Sequence, residues 1–214
     1  MRLIIIPLLS ILIFSCSSKQ SSTDDQLSVV AAVFVRIPKT LPPPPPPPLI
    51  NNEVKEEDNI DYSQLKPLTF NYAINENFVY YDFDYINEIS NQFMAYKSKE
   101  LFEEKGLDSS YMKLVQGLSG LKKSDKIDKA KLSELINDDL IFWDKQKITI
   151  QEKKELNITG IISFSRVSFN DEFTKAAVAV GDYSEHIGGG VSLYILEKID
   201  NNWVIRYTKI LMMS

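Results

Sequence analysis

Cysteine and histidine are almost absent from this chain, which contains one of each, Cys16 and His186. A single cysteine excludes a disulfide within the chain and a metal site built from several cysteines. A single histidine excludes a zinc site built from several histidines. A Ser-His-Asp triad would need His186 with a serine such as Ser184, and no nucleophile-elbow motif is present. We therefore predict no catalytic residues, no metal and no cofactor.

Long runs of positive charge are also lacking. The chain has 24 basic and 29 acidic residues, a formal net charge of −5. No cluster of lysine and arginine alternates with aromatic residues, which argues against a nucleic-acid partner. Hydrophobic residues make up 44% of the 214 residues, enough for the core of one ordinary domain.

The N-terminus carries an apolar run over residues 3–14. About a dozen residues are too few to span a bilayer as a helix, which needs about 20, but this length is typical of a signal-peptide core. The run ends in Ile13-Phe14-Ser15-Cys16, which resembles the lipobox of bacterial lipoproteins. The alternative is an ordinary cleaved signal peptide whose cysteine is incidental.

The lipobox resemblance implies cleavage after Ser15 and lipidation of Cys16, with acyl chains such as palmitate anchoring the protein in a membrane. We predict a lipoprotein signal peptide over residues 1–15 and a lipid anchor at Cys16. Ser17 in the next position is typical of outer-membrane lipoproteins. The sequence leaves open whether the protein faces the periplasm or the cell surface.

Residues 16–65 are predicted to form a disordered tether rich in serine and proline. Seven prolines at 42–48 favour a polyproline II rod of roughly 20 Å, which would act as a spacer or as a ligand for an aromatic groove. The apolar run over 28–35 interrupts the tether. It is either a short strand docked on the domain, which we favour, or a segment that contacts a partner.

Residues 66–214 are predicted to form an α+β domain, with a helical N-terminal half packed on a four-stranded antiparallel meander at the C-terminus. Apolar residues at helical spacing predict a helix over 84–105 and shorter helices after Ser109-Ser110 and after Ser124. Alternating β-branched and aromatic residues with intervening turns predict four strands. The strands are expected at 158–169, 174–183, 191–197 and 203–210.

Part of the C-terminal half resembles a family of uncharacterised bacterial lipoproteins. The family pattern is FSRVxFN, then GGG, then LLEK-NGKW. This chain has Phe164-Ser165-Arg166-Val167-Ser168-Phe169-Asn170, Gly188-Gly189-Gly190, Leu196-Glu197-Lys198 and Asn202-Trp203-Val204-Ile205. The resemblance covers about 50 residues, supports the predicted sheet and implies no activity.

Three residues are candidate ligand-binding residues: Arg166, Tyr183 and His186. Each also has a simpler interpretation: Arg166 as the ion-pair partner of an acid from the helical half, and His186 as an exposed residue of a glycine-rich loop. Paired carboxylates offer a second chemistry, because glycoside hydrolysis uses two acids. The available acids are Asp82, Asp84, Asp138, Asp139 and Glu185.

These features favour a lipid-anchored protein of the cell envelope that acts as a non-catalytic binding or interaction module. Its partners would be the membrane, through Cys16, and another envelope protein. The alternatives are a carboxylate-dependent hydrolase acting on an envelope or extracellular substrate, and a protein that blocks a toxin or protease.

Overall fold

The computed structural model describes residues 15–43, 64–82, 109–144, 149–184 and 188–213. Its helices are Ser15–Phe34 (α1), Ser109–Leu118 (α2), Lys129–Ile136 (α3) and Ile150–Glu155 (α4). Its strands are Thr40–Leu41 (β1), Leu68–Thr69 (β2), Tyr72–Asn75 (β3), Ile141–Trp143 (β4), Gly160–Phe164 (β5), Ser168–Phe169 (β6), Lys175–Ser184 (β7), Gly188–Ile199 (β8) and Asn202–Met213 (β9). No helix in these ranges is both long enough and apolar enough to cross a membrane.

Seven of the strands form one mixed sheet. Its order is β4-β3-β5-β7-β8-β9, and β6 pairs with β7 outside this path. Strand β3 runs parallel to both β4 and β5. The pairs β5–β7, β7–β8 and β8–β9 are antiparallel. The two short strands β1 and β2 form a separate antiparallel pair.

The predicted fold class is wrong. The sheet is mixed and has seven strands, two of which, β3 and β4, come from the half predicted to be helical. These strands have four and three residues, too few for alternation to show in the sequence, and distant segments supply their pairing partners. The four predicted strand segments do overlap β5, β7, β8 and β9. The helix predicted over 84–105 lies outside the described residues.

Helix α1 corrects the prediction of a disordered tether for the first part of residues 16–65. Leu27, Val30 and Phe34 are 1%, 0% and 3% exposed and belong to the main core. The apolar run over 28–35 does dock on the domain, but as a helix and not as a strand. Leu27, Val30, Ala31 and Phe34 have the i, i+3, i+4, i+7 spacing that places apolar side chains on one face of a helix.

Helices cover both faces of the sheet. On one face, Val178, Val180 and Leu196 pack in the same core cluster as residues of α1 and α3. On the other face, Ala177 and Leu193 pack in a second cluster with residues of α2. The two clusters follow from the geometry of a strand, in which successive side chains point to opposite faces.

Polar contacts fix α1 at one end of this sheet. The Asp25 carboxylate lies 2.6 Å from the Lys198 ammonium near the end of β8, and the Gln26 side-chain oxygen accepts a hydrogen bond of 3.3 Å from the Val167 N–H. The chain after α1, at Ile37, reaches the β8 region around Ser192. Since Ser192 and Lys198 are six residues apart, the segment from Asp25 to Ile37 runs along about 20 Å of β8.

Candidate functional site

A cavity of about 190 Å³ lies between the sheet and the segment that follows α1. Its apolar walls are Ile37, Pro38, Leu41 and Val180. Its polar walls are Tyr72, Asp182, Ser192 and Tyr194. This volume is below the range of about 300–1,000 Å³ that is typical of pockets for drug-sized ligands. The cavity therefore suits a ligand of few atoms.

Asp182 brings a carboxylate to the inward face of β7. Val178 and Val180 are buried on this face, and Asp182 is the next residue on the same side. Gly190 lies opposite Asp182 on β8. A Cβ atom at Gly190 would lie 2.9 Å from the Met212 carbonyl oxygen and 3.7 Å from the Asp182 Oδ1 atom, so close backbone packing requires a residue without a side chain opposite Asp182.

Burial raises the pKa of Asp182, because loss of solvent disfavours the charged carboxylate. In the part of the chain that the structure describes, no cation pairs with this carboxylate. The pKa values of Tyr72 and Tyr194 are raised by burial and, to a lesser degree, by the negative charge of Asp182. The charge of Asp182 therefore acts on both tyrosines that line the cavity with it.

The ring of Tyr72 is held in a defined position. It stacks on Phe70, with 5.5 Å between ring centroids and 19° between ring planes. Gly160, its partner on β5, also lies against the ring, and a Cβ atom there would come within 2.6 Å of the Tyr72 Cδ1 atom. Only a residue without a side chain leaves room for the ring there, so the tyrosine wall of the cavity is set by close packing.

The three candidate ligand-binding residues lie outside the described walls of this cavity. An Arg166 Nη1 atom lies 3.2 Å from the Asp125 carboxylate, an ion pair with an acid from the preceding half of the chain. Tyr183 is 52% exposed and, as the neighbour of Asp182, faces the opposite side of β7. His186 lies outside the described residues. Cys16 belongs to the first turn of α1.

The structure does not bring Arg166 and Tyr183 together. In the pairing of β5 with β7, Phe164 lies opposite Val180 and Ile161 lies opposite Tyr183. Arg166 follows the end of β5, so it lies towards the start of β7, whereas Tyr183 lies near its end. The two residues are therefore placed at opposite ends of the strand pair.

The acids considered for paired-carboxylate chemistry do not line the cavity. Asp138 forms an exposed ion pair of 3.4 Å with Lys39, and Asp82 is exposed. Asp84 and Glu185 lie outside the described ranges. No group of three or more histidine, cysteine, aspartate or glutamate residues suited to a metal occurs within those ranges.

Comparison with protein-family models, with curated proteins and with solved structures found no match to this chain. The resemblance to uncharacterised bacterial lipoproteins therefore stays a prediction. Any functional argument rests on the site itself, and Asp182 is its central residue.

Proposed function

We propose that this protein is a lipid-anchored protein of the cell envelope whose domain binds a small ligand without catalysis. The observation that carries this proposal is the half-buried Asp182 carboxylate, which faces a cavity and has no cationic partner within the described residues. A desolvated carboxylate costs free energy unless another group compensates for the lost water. A bound ligand would supply that compensation.

A binding role fits the cavity better than hydrolysis. Its described walls contribute one carboxylate, Asp182, whereas glycoside hydrolysis typically uses two carboxyl groups on either side of the scissile bond. The remaining polar wall groups are the hydroxyls of Ser192 and two tyrosines, which orient a ligand through hydrogen bonds. The paired-carboxylate alternative has no comparable support.

Helix α1 gives the proposed anchor a defined geometry. Cys16 precedes Leu27, a fully buried residue of α1, by eleven residues, which is about 16 Å of helix. The prolines at 42–48 lie between the paired strands β1 and β2 and not between Cys16 and the domain. The domain would therefore lie close to the bilayer, with the cavity at the far end of α1.

The anchor can be tested by growing host cells with an alkyne analogue of palmitate and comparing wild type with Cys16→Ala. We expect the label and the membrane fractionation of the wild type to be lost in Cys16→Ala. Separation of inner and outer membranes would test the outer-membrane location that Ser17 favours. An unlabelled wild type, or a labelled Cys16→Ala protein, would contradict the anchor.

The binding site can be tested by ligand-observed NMR with small cationic, neutral and anionic compounds. Ser192→Phe would fill the cavity, and the control Tyr183→Phe changes an exposed side chain on the other face of the sheet. We expect at least one compound to bind wild type and the control but not Ser192→Phe. Far-UV circular dichroism would show whether each protein is folded. If all three are folded and every compound binds them equally or not at all, the proposal is contradicted.

A further inference from the structure

The described walls of the cavity carry one formal charge, that of Asp182. Tyr72, Tyr194 and Ser192 contribute neutral hydroxyl groups, and the remaining wall residues are apolar. An anionic ligand would be repelled by the carboxylate and would lose its own hydration. A cationic ligand would restore the favourable interaction that the carboxylate loses by leaving water.

The aromatic wall of the cavity also favours a positive charge. The hydroxyl oxygens of Tyr72 and Tyr194 can accept hydrogen bonds from N–H donors, which a cationic group supplies. Tyr72 is fixed in place by its stacking on Phe70, so this wall exists before a ligand binds. The cation and the carboxylate can therefore meet without a large conformational change.

The opposite wall suits a short alkyl group. Ile37 and Leu41 come from the segment after α1 and line the cavity on the side opposite the sheet. Together with the small volume of the cavity, about 190 Å³, they restrict the ligand to few atoms. A ligand with a cationic head and a short apolar tail matches both walls.

We propose that the cavity binds a small primary amine in its ammonium form. The ammonium group donates hydrogen bonds to the Asp182 carboxylate beside the tyrosine rings, and the alkyl part contacts Ile37 and Leu41. This inference rests on the binding function proposed above and specifies its ligand class.

The test uses n-butylammonium, with n-butanol and butyrate as neutral and anionic compounds of the same shape. Binding to the full chain in detergent micelles is measured by titration NMR with wild type, Asp182→Asn and Ser192→Phe. We expect butylammonium to bind wild type more tightly than butanol and butyrate. Asp182→Asn should weaken butylammonium binding by about 10- to 100-fold and leave butanol binding unchanged.

The outcomes separate this inference from the proposed function. If butanol or butyrate binds wild type more tightly than butylammonium and Ser192→Phe abolishes that binding, the cavity binds ligands but the amine inference is wrong. Equal butylammonium affinity for wild type and Asp182→Asn would also overturn the amine inference. If none of the three compounds binds wild type, the amine inference is again wrong, while the wider compound screen still decides the proposed function.

Discussion

Replacing Leu27 with alanine tests whether α1 is an integral part of the domain. Leu27 is 1% exposed and lies in the main core with Val30 and Phe34. Buried leucine-to-alanine changes cost about 2–5 kcal/mol, depending on how far the surroundings collapse into the space. Because Leu27 lies near the start of the docked part of α1, the neighbouring side chains can move partly into the space that the substitution leaves. We expect a loss of about 2–4 kcal/mol in the free energy of unfolding.

Urea and thermal denaturation would measure this loss. For a chain of this size, 1 kcal/mol corresponds to a change of about 2–4 °C in Tm, so Leu27→Ala should lower Tm by about 4–16 °C. The fluorescence of Trp203, which is 8% exposed and belongs to the same core, would report the unfolding of this region. Far-UV circular dichroism would follow the secondary structure in parallel.

Val35→Ala is the matched control, because Val35 directly follows α1 and is 57% exposed. Substitution of an exposed side chain usually changes stability by less than about 0.5 kcal/mol. If this segment were a tether that does not contact the domain, the two variants would have the same free energy of unfolding. Equal unfolding curves for Leu27→Ala and Val35→Ala would therefore refute the packing of α1.

Three further predictions concern the sheet and the cavity. Ser165→Ala should cost about 1–3 kcal/mol in urea denaturation, because the buried Ser165 hydroxyl accepts a 2.9 Å hydrogen bond from the Ala179 N–H. Gly160→Ala should cost about 1–3 kcal/mol by the same assay and weaken ligand binding measured by NMR, because its Cβ would displace the Tyr72 ring. Asp182→Asn should unfold at higher urea than wild type at pH 7, since a raised pKa means that the charged form destabilises the fold. This advantage should shrink as the pH falls through the folded-state pKa of Asp182 and vanish below its usual value of 3.8.

The length of a strand determines whether its sequence reveals it. Strands β7, β8 and β9 have 10, 12 and 12 residues, so several apolar and polar alternations fall within each. Strands β3 and β4 have only four and three residues and pair with segments far away in the chain. Their presence depends on tertiary packing, which local periodicity does not report.

The composition of α1 favours a tail and a strand, although the segment folds as a helix. Its first half is rich in serine and polar residues, and its second half contains three valines. Serine is typical of flexible tails and valine of strands, so propensity favoured a tail followed by a strand. The helical spacing of Leu27, Val30 and Phe34 was present in the sequence, but packing against the sheet determines the outcome.

The sequence pattern can predict that Asp182 faces inward, but it cannot predict which other residues form the cavity. The inward alternation Ala176, Val178, Val180 continues to Asp182 two residues later. A charged residue at an inward position of a strand is itself an indication of a functional site. The approach of Tyr72 to this carboxylate follows from the parallel pairing of β3 with β5, which no local pattern predicts.

The position of the cavity links ligand binding to the proposed anchor. Ile37, Pro38 and Leu41 form its outer wall and follow α1 directly in the chain. Their place over Asp182 depends on the docking of α1, which the Asp25–Lys198 ion pair and the buried apolar face of the helix maintain. Any change that detaches α1 therefore removes one wall of the cavity and exposes the Asp182 carboxylate to water. Ligand affinity should thus decrease when the helix that carries Cys16 detaches from the sheet, even though the cavity lies beyond the C-terminal end of that helix.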